Sequence, residues 1–379
     1  LAVCLIRRPD AASGLAVLHE FKMVVFMAVV VSAVRTPGEL KLLLYSICAA
    51  VLLQVVMVNV AALTGSAIKV SAKLSGELMS FSGARASYLR ATGTVGHVNQ
   101  EAAFLTFFGI PLVALMMAGG RFWKIVGLVS VVGTFVAIGL TFSRGAWLSL
   151  AVGMAAILVV AVKKRDLVFR HWVYGLPVLL AAAVLLPMAG KPALDRMFYG
   201  DEGATASRKR AMLLARDLFA FHPLAGVGAG NFSRAALDYF PPEKKKVNWV
   251  RREETAKFNW QVSSRLEMTQ VTVNGRQYDI PLPVHNKYML VMAELGAVGL
   301  LLFLWFQIRT WGHIRRGLQS GMASGRWLAI GLAGAFFASQ CYMNLDLFAD
   351  DKTMQILLII PVLAMINDRI ASFAWEDRA

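Results

Sequence analysis

The stretch GAWLSLAVGMAAILVVAV, residues 145–162, decides the class of this fold. It contains no charged residue, and a membrane-spanning helix needs roughly 20 mainly apolar residues. Its apolar residues are continuous, whereas the strands of a membrane β-barrel are about ten residues long and alternate apolar with polar positions. The stretch therefore predicts a transmembrane α-helix.

Similar apolar runs recur along the 379-residue chain. The sequence is 57% hydrophobic and 16% charged, whereas a typical soluble domain has about 25% charged residues. We predict an all-α polytopic membrane protein with about nine or more transmembrane helices. The predicted spans are 14–34, 39–63, 98–118, 122–142, 145–162, 171–189, 286–308, 326–346 and 353–370.

The charge balance and the cysteines argue against other classes of protein. In a soluble protein the formal net charge of +16 would suggest a nucleic-acid partner. In a membrane protein, Lys and Arg hold cytoplasmic loops and meet anionic headgroups, so we expect membrane lipid and no nucleic acid as a partner. Cys4, Cys48 and Cys341 lie in apolar runs and predict neither a disulfide framework nor a metal site.

Three basic clusters orient the predicted spans. Two of them lie within 163–170 and 309–326, and Arg121 with Lys124 forms the third. Lys and Arg are enriched in cytoplasmic loops. Alternation along the chain then places the polar segment 191–284 on the opposite, outer side of the membrane.

The N-terminal end does not fit this orientation, because Arg7 and Arg8 fall on the wrong side. The chain begins at Leu1 inside an apolar run, without a signal peptide. We therefore expect a truncated N-terminus that lacks one or more spans. The predicted organisation is N-terminal transmembrane helices in 1–189, a large outer loop in 190–285, and C-terminal transmembrane helices in 286–379.

The large loop carries its own structural signals. Apolar and basic residues recur at helical spacing over 207–221, and Pro223 with the glycines of 226–230 would end that helix. Asn274-Gly275 separates two short strand-like segments and predicts a β-hairpin with a type I′ turn. A loop of this length inside a compact protein is usually functional.

Arg144 lies between two apolar runs, where a charge is costly unless it faces a cavity, a partner or the interface. Its position fits an anchor to lipid headgroups and equally a guanidinium that binds phosphate through two hydrogen bonds. Arg208 and Arg210 begin the loop helix, where they form either a solvated basic face or a second cation for the same anion. The glycines of 226–230 follow no strand and lack complete dinucleotide-binding spacing, so we interpret them as a turn.

His285 opens the span that follows the loop, and Asn286 suits the N-cap of that helix. A helix N-terminus disfavours imidazolium, so a neutral His285 could accept a proton as a general base, although an interfacial histidine is the plainer interpretation. The sequence has no Ser-His-Asp spacing, H-E-x-x-H, paired Cys or P-loop, so we expect no metal and no cofactor. We interpret Asp346 and its acidic neighbours as a solvated connection.

Four motifs occur in one order around the large loop: Ser143-Arg144-Gly145-Ala146-Trp147, Arg208 with Pro223-Leu224-Ala225-Gly226-Val227-Gly228-Ala229-Gly230-Asn231-Phe232, His285-Asn286-Lys287-Tyr288, and Glu294-Leu295-Gly296-Ala297-Val298-Gly299. Together these motifs resemble the O-antigen ligase/polymerase superfamily of bacterial inner-membrane glycosyltransferases.

The resemblance implies transfer of a glycan from an undecaprenyl-diphosphate carrier to an acceptor hydroxyl on the periplasmic face, the acceptor being the lipid A core, another glycan or a protein. It implies that Arg144 and Arg208 hold the diphosphate and that His285 acts as base or positions the acceptor. Arg210 and Asn286 are further substrate-binding candidates. In the family an aromatic residue often follows the loop arginine by four positions, whereas this chain has Met212 there, so the choice between Arg208 and Arg210 stays open. Asn99, which precedes an earlier span, is interpreted as structural.

Two other functions stay open from the sequence. A polymerase of the same lipid-linked repeat units fits the motifs as well as an O-antigen ligase does. A lipid-linked glycan transporter or flippase belongs to a different class, and transporters tend to show broken spans and ionisable residues near the membrane midplane. Here the polar candidates collect at the ends of the predicted spans, which favours the enzyme.

The predicted topology places Ser264 on the periplasmic side. A single cysteine at Ser264, in a background without the three native cysteines, is therefore expected to react with a membrane-impermeant maleimide in intact cells. Labelling that requires cell lysis would contradict the topology.

Overall fold

The computed structural model describes residues 11–68, 78–82, 87–118, 120–163, 202–239, 257–262, 267–273, 276–281, 284–346 and 351–376. Its helices are α1 Ala11–Ala33, α2 Pro37–Thr64, α3 Val98–Gly109, α4 Val113–Ala118, α5 Arg121–Thr141, α6 Arg144–Lys163, α7 Glu202–Phe221, α8 Phe232–Tyr239, α9 Lys287–Gly317, α10 Ala323–Met343 and α11 Asp351–Glu376, with a 3₁₀ turn Ile110–Leu112 between α3 and α4. Its strands are β1 Leu78–Ser82, β2 Ser87–Ala91, β3 Lys257–Val262, β4 Glu267–Val273 and β5 Arg276–Pro281.

Within these ranges, five helical segments are long and apolar enough to cross a membrane: α2, the α3–α4 segment Val98–Ala118, α5, α6 and α9. The protein is therefore a helical membrane protein. Of the other predicted spans, 171–189 lies outside the described residues, and 14–34 is represented by the shorter apolar helix Phe21–Ala33. The spans predicted at 326–346 and 353–370 fall on α10 and α11, which are not among the five.

The chain divides into two compact units. The first, here called the loop unit, comprises Leu1–Val25, Asp201–Gln307 and Met343–Asp351. The second, here called the helical unit, comprises Phe26–Gly200, Ile308–Tyr342 and Lys352–Ala379.

Helix α5 is the centre of packing in the described part of the helical unit, where α2, α3 and α4 all contact it. Small residues allow the close approach that apolar helices need. A Cβ atom at Gly127 would lie 2.6 Å from the backbone nitrogen of Met116, so glycine is required where α5 meets α4. Cys48 and Ser130 add a polar contact of 3.0 Å between α2 and α5.

The loop unit has a small apolar core. Its buried members are Ala211, Ala215 and Leu218 from α7, Phe232 and Ala235 from α8, and Val284, Leu290 and Ala293 around the start of α9. This core holds α7 and α8 against the beginning of α9. Strand β4 approaches α7, and β5 approaches α8.

Strands β3, β4 and β5 form an antiparallel sheet in that order. Val273 of β4 lies opposite Arg276 of β5. The predicted Asn274-Gly275 turn lies between them, outside the described residues.

Two glycine motifs of the loop unit meet backbone to backbone. Helix α9 is interrupted at Gly296, whose φ of 67° and ψ of −165° are not helical. A Cβ atom on Gly296 would overlap the Leu224 carbonyl, and one on Gly226 would overlap the Glu294 carbonyl. Glycine is therefore required on both sides of this contact.

Backbone hydrogen bonds complete the contact between these motifs. The Ala293 and Glu294 carbonyls accept from the amides of Val227 and Gly228 at 3.0 and 2.8 Å. In the other direction, the amides of Ala297 and Val298 donate to the Pro223 and Leu224 carbonyls at 2.7 and 3.3 Å. The backbone amides and carbonyls that the interruption of α9 leaves without helical partners are thus paired with the loop after α7.

Gly296→Ala is expected to destabilise the protein by more than about 2 kcal/mol, because it adds both an unfavourable φ and an overlap with backbone atoms. The check is the temperature at which half of the detergent-purified protein aggregates. Gly312→Ala is the matched control in the same helix, since its added methyl would meet only the Arg316 Nη1 atom at 3.7 Å. Equal aggregation temperatures for the two variants would contradict the close contact at Gly296.

Candidate functional site

His285 lies in the short connection that enters α9, and Asn286 begins that helix. The Asn286 Oδ1 atom accepts a hydrogen bond from the Met289 amide at 3.0 Å, which confirms the predicted N-cap. The Asn286 Nδ2 atom donates to Asn344 Oδ1 at 3.3 Å. Because both ends of the Asn286 amide are engaged, the backbone next to His285 is held in one place.

Asp346 is the partner of His285. The His285 Nδ1 and Asp346 Oδ1 atoms are 3.4 Å apart, and the two side chains are only 18% and 17% exposed. The interpretation of Asp346 as part of a solvated connection is therefore wrong. If Nδ1 carries the proton and its N–H donates a hydrogen bond to the carboxylate, Nε2 is left as an acceptor, which is the tautomer that a general base requires.

Arg208 lies on the buried face of α7. With about 3.6 residues per turn, positions 208, 211, 215 and 218 share one face of this helix, and the last three belong to the core that holds the start of α9. The Arg208 side chain is partly buried, and its Nε atom is buried with no hydrogen-bond partner among the described residues. A buried donor left unpaired is costly, so this atom suits an anionic ligand.

The other candidates in this part of the loop unit are less informative. Arg210 lies in α7, but its side chain is not described, so the choice between Arg208 and Arg210 stays a prediction. Gly226, Gly228 and Gly230 have positive φ angles of 65°, 101° and 71°. Their interpretation as a turn is confirmed, and the turn is the one that pairs with α9.

Glu294 connects that turn to α8. Its Oε1 atom accepts a hydrogen bond from the Phe232 amide at 3.2 Å, at the first residue of α8. A carboxylate there satisfies an amide that has no partner within the helix and favours the positive end of the helix dipole. Glu294 therefore ties α8 to α9 beside the glycine contact.

Arg144 belongs to the helical unit, where it is the first residue of α6 and is partly buried. The preceding turn is sharp, because Phe142 adopts the left-handed conformation with a φ of 49°. The Ser143 carbonyl accepts from the Trp147 amide at 3.0 Å and begins the helix. A guanidinium beside the N-terminus of a 20-residue helix is a favourable setting for an anion.

Arg90 supports this turn, a role that the sequence alone did not indicate. Its side chain is 7% exposed, and its Nε atom donates to the Thr141 carbonyl at 2.8 Å. Its Nη2 atom donates to Asn99 Oδ1 at 3.3 Å. The only sequence signal for this role of Arg90 was the presence of an arginine in the polar segment shortly before Asn99. Asn99 itself was interpreted as structural, and the structure does engage it in structural contacts.

No group of three His, Cys, Asp or Glu side chains suited to a metal ion occurs within the part of the chain that the structure describes. The loop unit brings His285, Asp346 and the Arg208-bearing helix α7 onto elements that pack together. The helical unit presents Arg144 at a braced helix N-terminus.

Comparison with known families gives a match. Residues 129–304 match the model of a family described as O-Antigen ligase. The matched segment begins within α5, ends within α9, and contains Arg144, Arg208 and His285. No curated protein matches this chain.

Proposed function

Since the chain belongs to the O-antigen ligase/polymerase superfamily, we propose that it transfers a glycan from an undecaprenyl-diphosphate carrier to an acceptor hydroxyl, as an O-antigen ligase does. The family supports a membrane glycosyltransferase in general. The ligase reaction, the inner bacterial membrane and the periplasmic side are our proposal. The observation that carries it is the His285–Asp346 pair, which lies in the same packed unit as the Arg208 Nε atom, a buried donor with no hydrogen-bond partner among the described residues.

His285 is proposed to act as the general base. In the transfer, the acceptor oxygen forms a bond to the anomeric carbon while the bond from that carbon to the diphosphate oxygen breaks. The electron pair leaves with undecaprenyl diphosphate, and the acceptor proton passes to His285 Nε2. Asp346 holds the ring through Nδ1 and stabilises the imidazolium that forms. Direct displacement of this kind inverts the anomeric centre.

Arg144 and Arg208 are proposed to bind the diphosphate. Negative charge collects on the diphosphate oxygens as the bond breaks, so fixed guanidinium groups favour the transition state over the ground state. A guanidinium presents two parallel donors to phosphate oxygens, which an ammonium cannot do. Arg210 is retained as the rival to Arg208.

Asn286 is assigned an indirect part in substrate binding. Both ends of its amide are already engaged, with Met289 and with Asn344. It therefore contributes by fixing the position of His285 against the acceptor.

The experiment that tests the function uses a deletion strain and the lipid-linked and outer-membrane glycans that it makes. Polymer that accumulates on the lipid carrier and is missing from the acceptor supports the ligase. Acceptor capped with single, unpolymerised repeat units would point instead to a polymerase. Lipid-linked glycan that accumulates only on the cytoplasmic side would point to a transporter.

His285→Ala is expected to reduce transfer by roughly 10²–10⁴-fold, since it removes the base. Asp346→Asn should reduce it less, because the ring remains but loses the carboxylate that orients it. The measurement is glycan transfer by membranes that contain equal amounts of each protein. Near-normal transfer by His285→Ala would show that His285 is not the base and is only an interfacial residue.

Arg208→Ala is expected to raise the donor concentration needed for half-maximal transfer far more than Arg210→Ala does, because Arg208 shares the buried face of α7. Arg216→Ala is the matched control, since Arg216 is on the same helix but is 64% exposed and paired with Asp217 at 2.8 Å. The measurement is transfer rate against donor concentration. The reverse ranking would reassign the role to Arg210, and equally mild effects would mean that neither arginine binds the donor.

A further inference from the structure

The turn that precedes Arg144 is held from outside by side chains of distant segments. Arg90 of β2 binds the carbonyl of Thr141, the last residue of α5, at 2.8 Å. Asn99 of α3 binds the hydroxyl of Ser143, which donates to Asn99 Oδ1 at 3.1 Å. Both contacts therefore fall on the residues that flank Phe142.

Arg90 and Asn99 also bind each other, and Asn99 is bound to helix α10. The Arg90 Nη2 atom donates to the same Asn99 Oδ1 atom, at 3.3 Å. The Tyr342 hydroxyl of α10 donates to the Asn99 backbone carbonyl at 2.8 Å. We call the side chains of Arg90, Asn99 and Ser143 the turn clamp.

The turn needs such support for a physical reason. Phe142 has a positive φ, which is unfavourable for a residue with a bulky side chain and persists only when the surroundings enforce it. Arginine suits the task because its rigid fork satisfies two acceptors at once, the Thr141 carbonyl and Asn99 Oδ1. The direction in which α6 begins, and so the position of Arg144, follows from this turn.

We propose that Arg90 and Asn99 are positioning residues that set the place of the Arg144 guanidinium for the diphosphate of the donor. This inference rests on the proposed function for its kinetic consequence but not for its geometry. Neither residue touches the donor in this proposal, and both act through Ser143 and the carbonyl of Thr141.

The first experiment measures transfer kinetics with the full-length protein in detergent, using a lipid-linked glycan as donor and comparing equal amounts of folded protein. Arg90→Lys and Asn99→Ala are expected to lower kcat/KM by about 10- to 100-fold, mainly through a higher donor KM, because a displaced binding group loses its alignment. Asn99→Asp should retain most of the activity, since it keeps the acceptor oxygen for both bonds. Arg216→Lys is the control and should match the wild type.

A merely structural role gives a different pattern. It predicts less folded protein but unchanged KM and kcat in what remains, and that result would overturn the proposal. Asn99→Asp as damaging as Asn99→Ala would also overturn it. If Arg90→Lys does not fold, Ser143→Ala removes one bond of the turn clamp and should still raise the donor KM.

The second experiment needs no transfer activity. Arg144→Cys, in a background without the native cysteines, is alkylated by a charged thiol reagent with and without Arg90→Lys. Loss of the turn clamp should change the alkylation rate at position 144 several-fold, and an unchanged rate would overturn the proposal. A wild-type protein that transfers no glycan would contradict the proposed function. The alkylation comparison would still test whether Arg90 positions residue 144.

Discussion

The interruption of α9 at Gly296 is the constraint on which the loop unit depends. A helix that opens within an apolar environment exposes amides and carbonyls that cost several kcal/mol if they stay unpaired. Here the loop after α7 supplies the partners, and the backbones approach so closely that Gly226 and Gly296 cannot carry side chains. The two glycine motifs are therefore one structural device, although about 70 residues separate them along the chain.

This device places the residues of the loop unit that we propose to carry the chemistry. It fixes the first turns of α9 against the end of α7. The apolar core extends that contact to Val284 and to the face of α7 on which Arg208 lies. Asn286 then fixes the N-terminus of α9, and Asp346 restrains the ring of His285. The residues that we propose as base and as diphosphate-binding cation are thus held on packed elements, which is the preorganisation that electrostatic catalysis requires.

In the helical unit, the polar groups of an irregular turn are satisfied by side chains, whereas in the loop unit they are satisfied by backbone groups. Arg144 follows a turn that contains a strained residue, Phe142, and Arg90 with Asn99 satisfies the polar groups on both sides of it. Arg90 and Ser143 are buried, so these polar contacts have little competition from water. A buried arginine is costly to place there, so its use at this turn indicates that the turn geometry matters.

The sequence by itself determined what depends on neighbours along the chain. The spans predicted at 98–118, 122–142 and 145–162 agree with the observed helices to within one residue at each end, because the length of an apolar run decides membrane insertion. The Asn286 cap and the glycine turn were likewise predictable, since caps and turns follow local residue chemistry. Only the tertiary structure decided that Asp346 meets His285, that Gly226 meets Gly296, and that Arg90 braces the turn before Arg144. These contacts join segments far apart in sequence, and no local periodicity or spacing records which distant residue will fill a given hydrogen-bonding position.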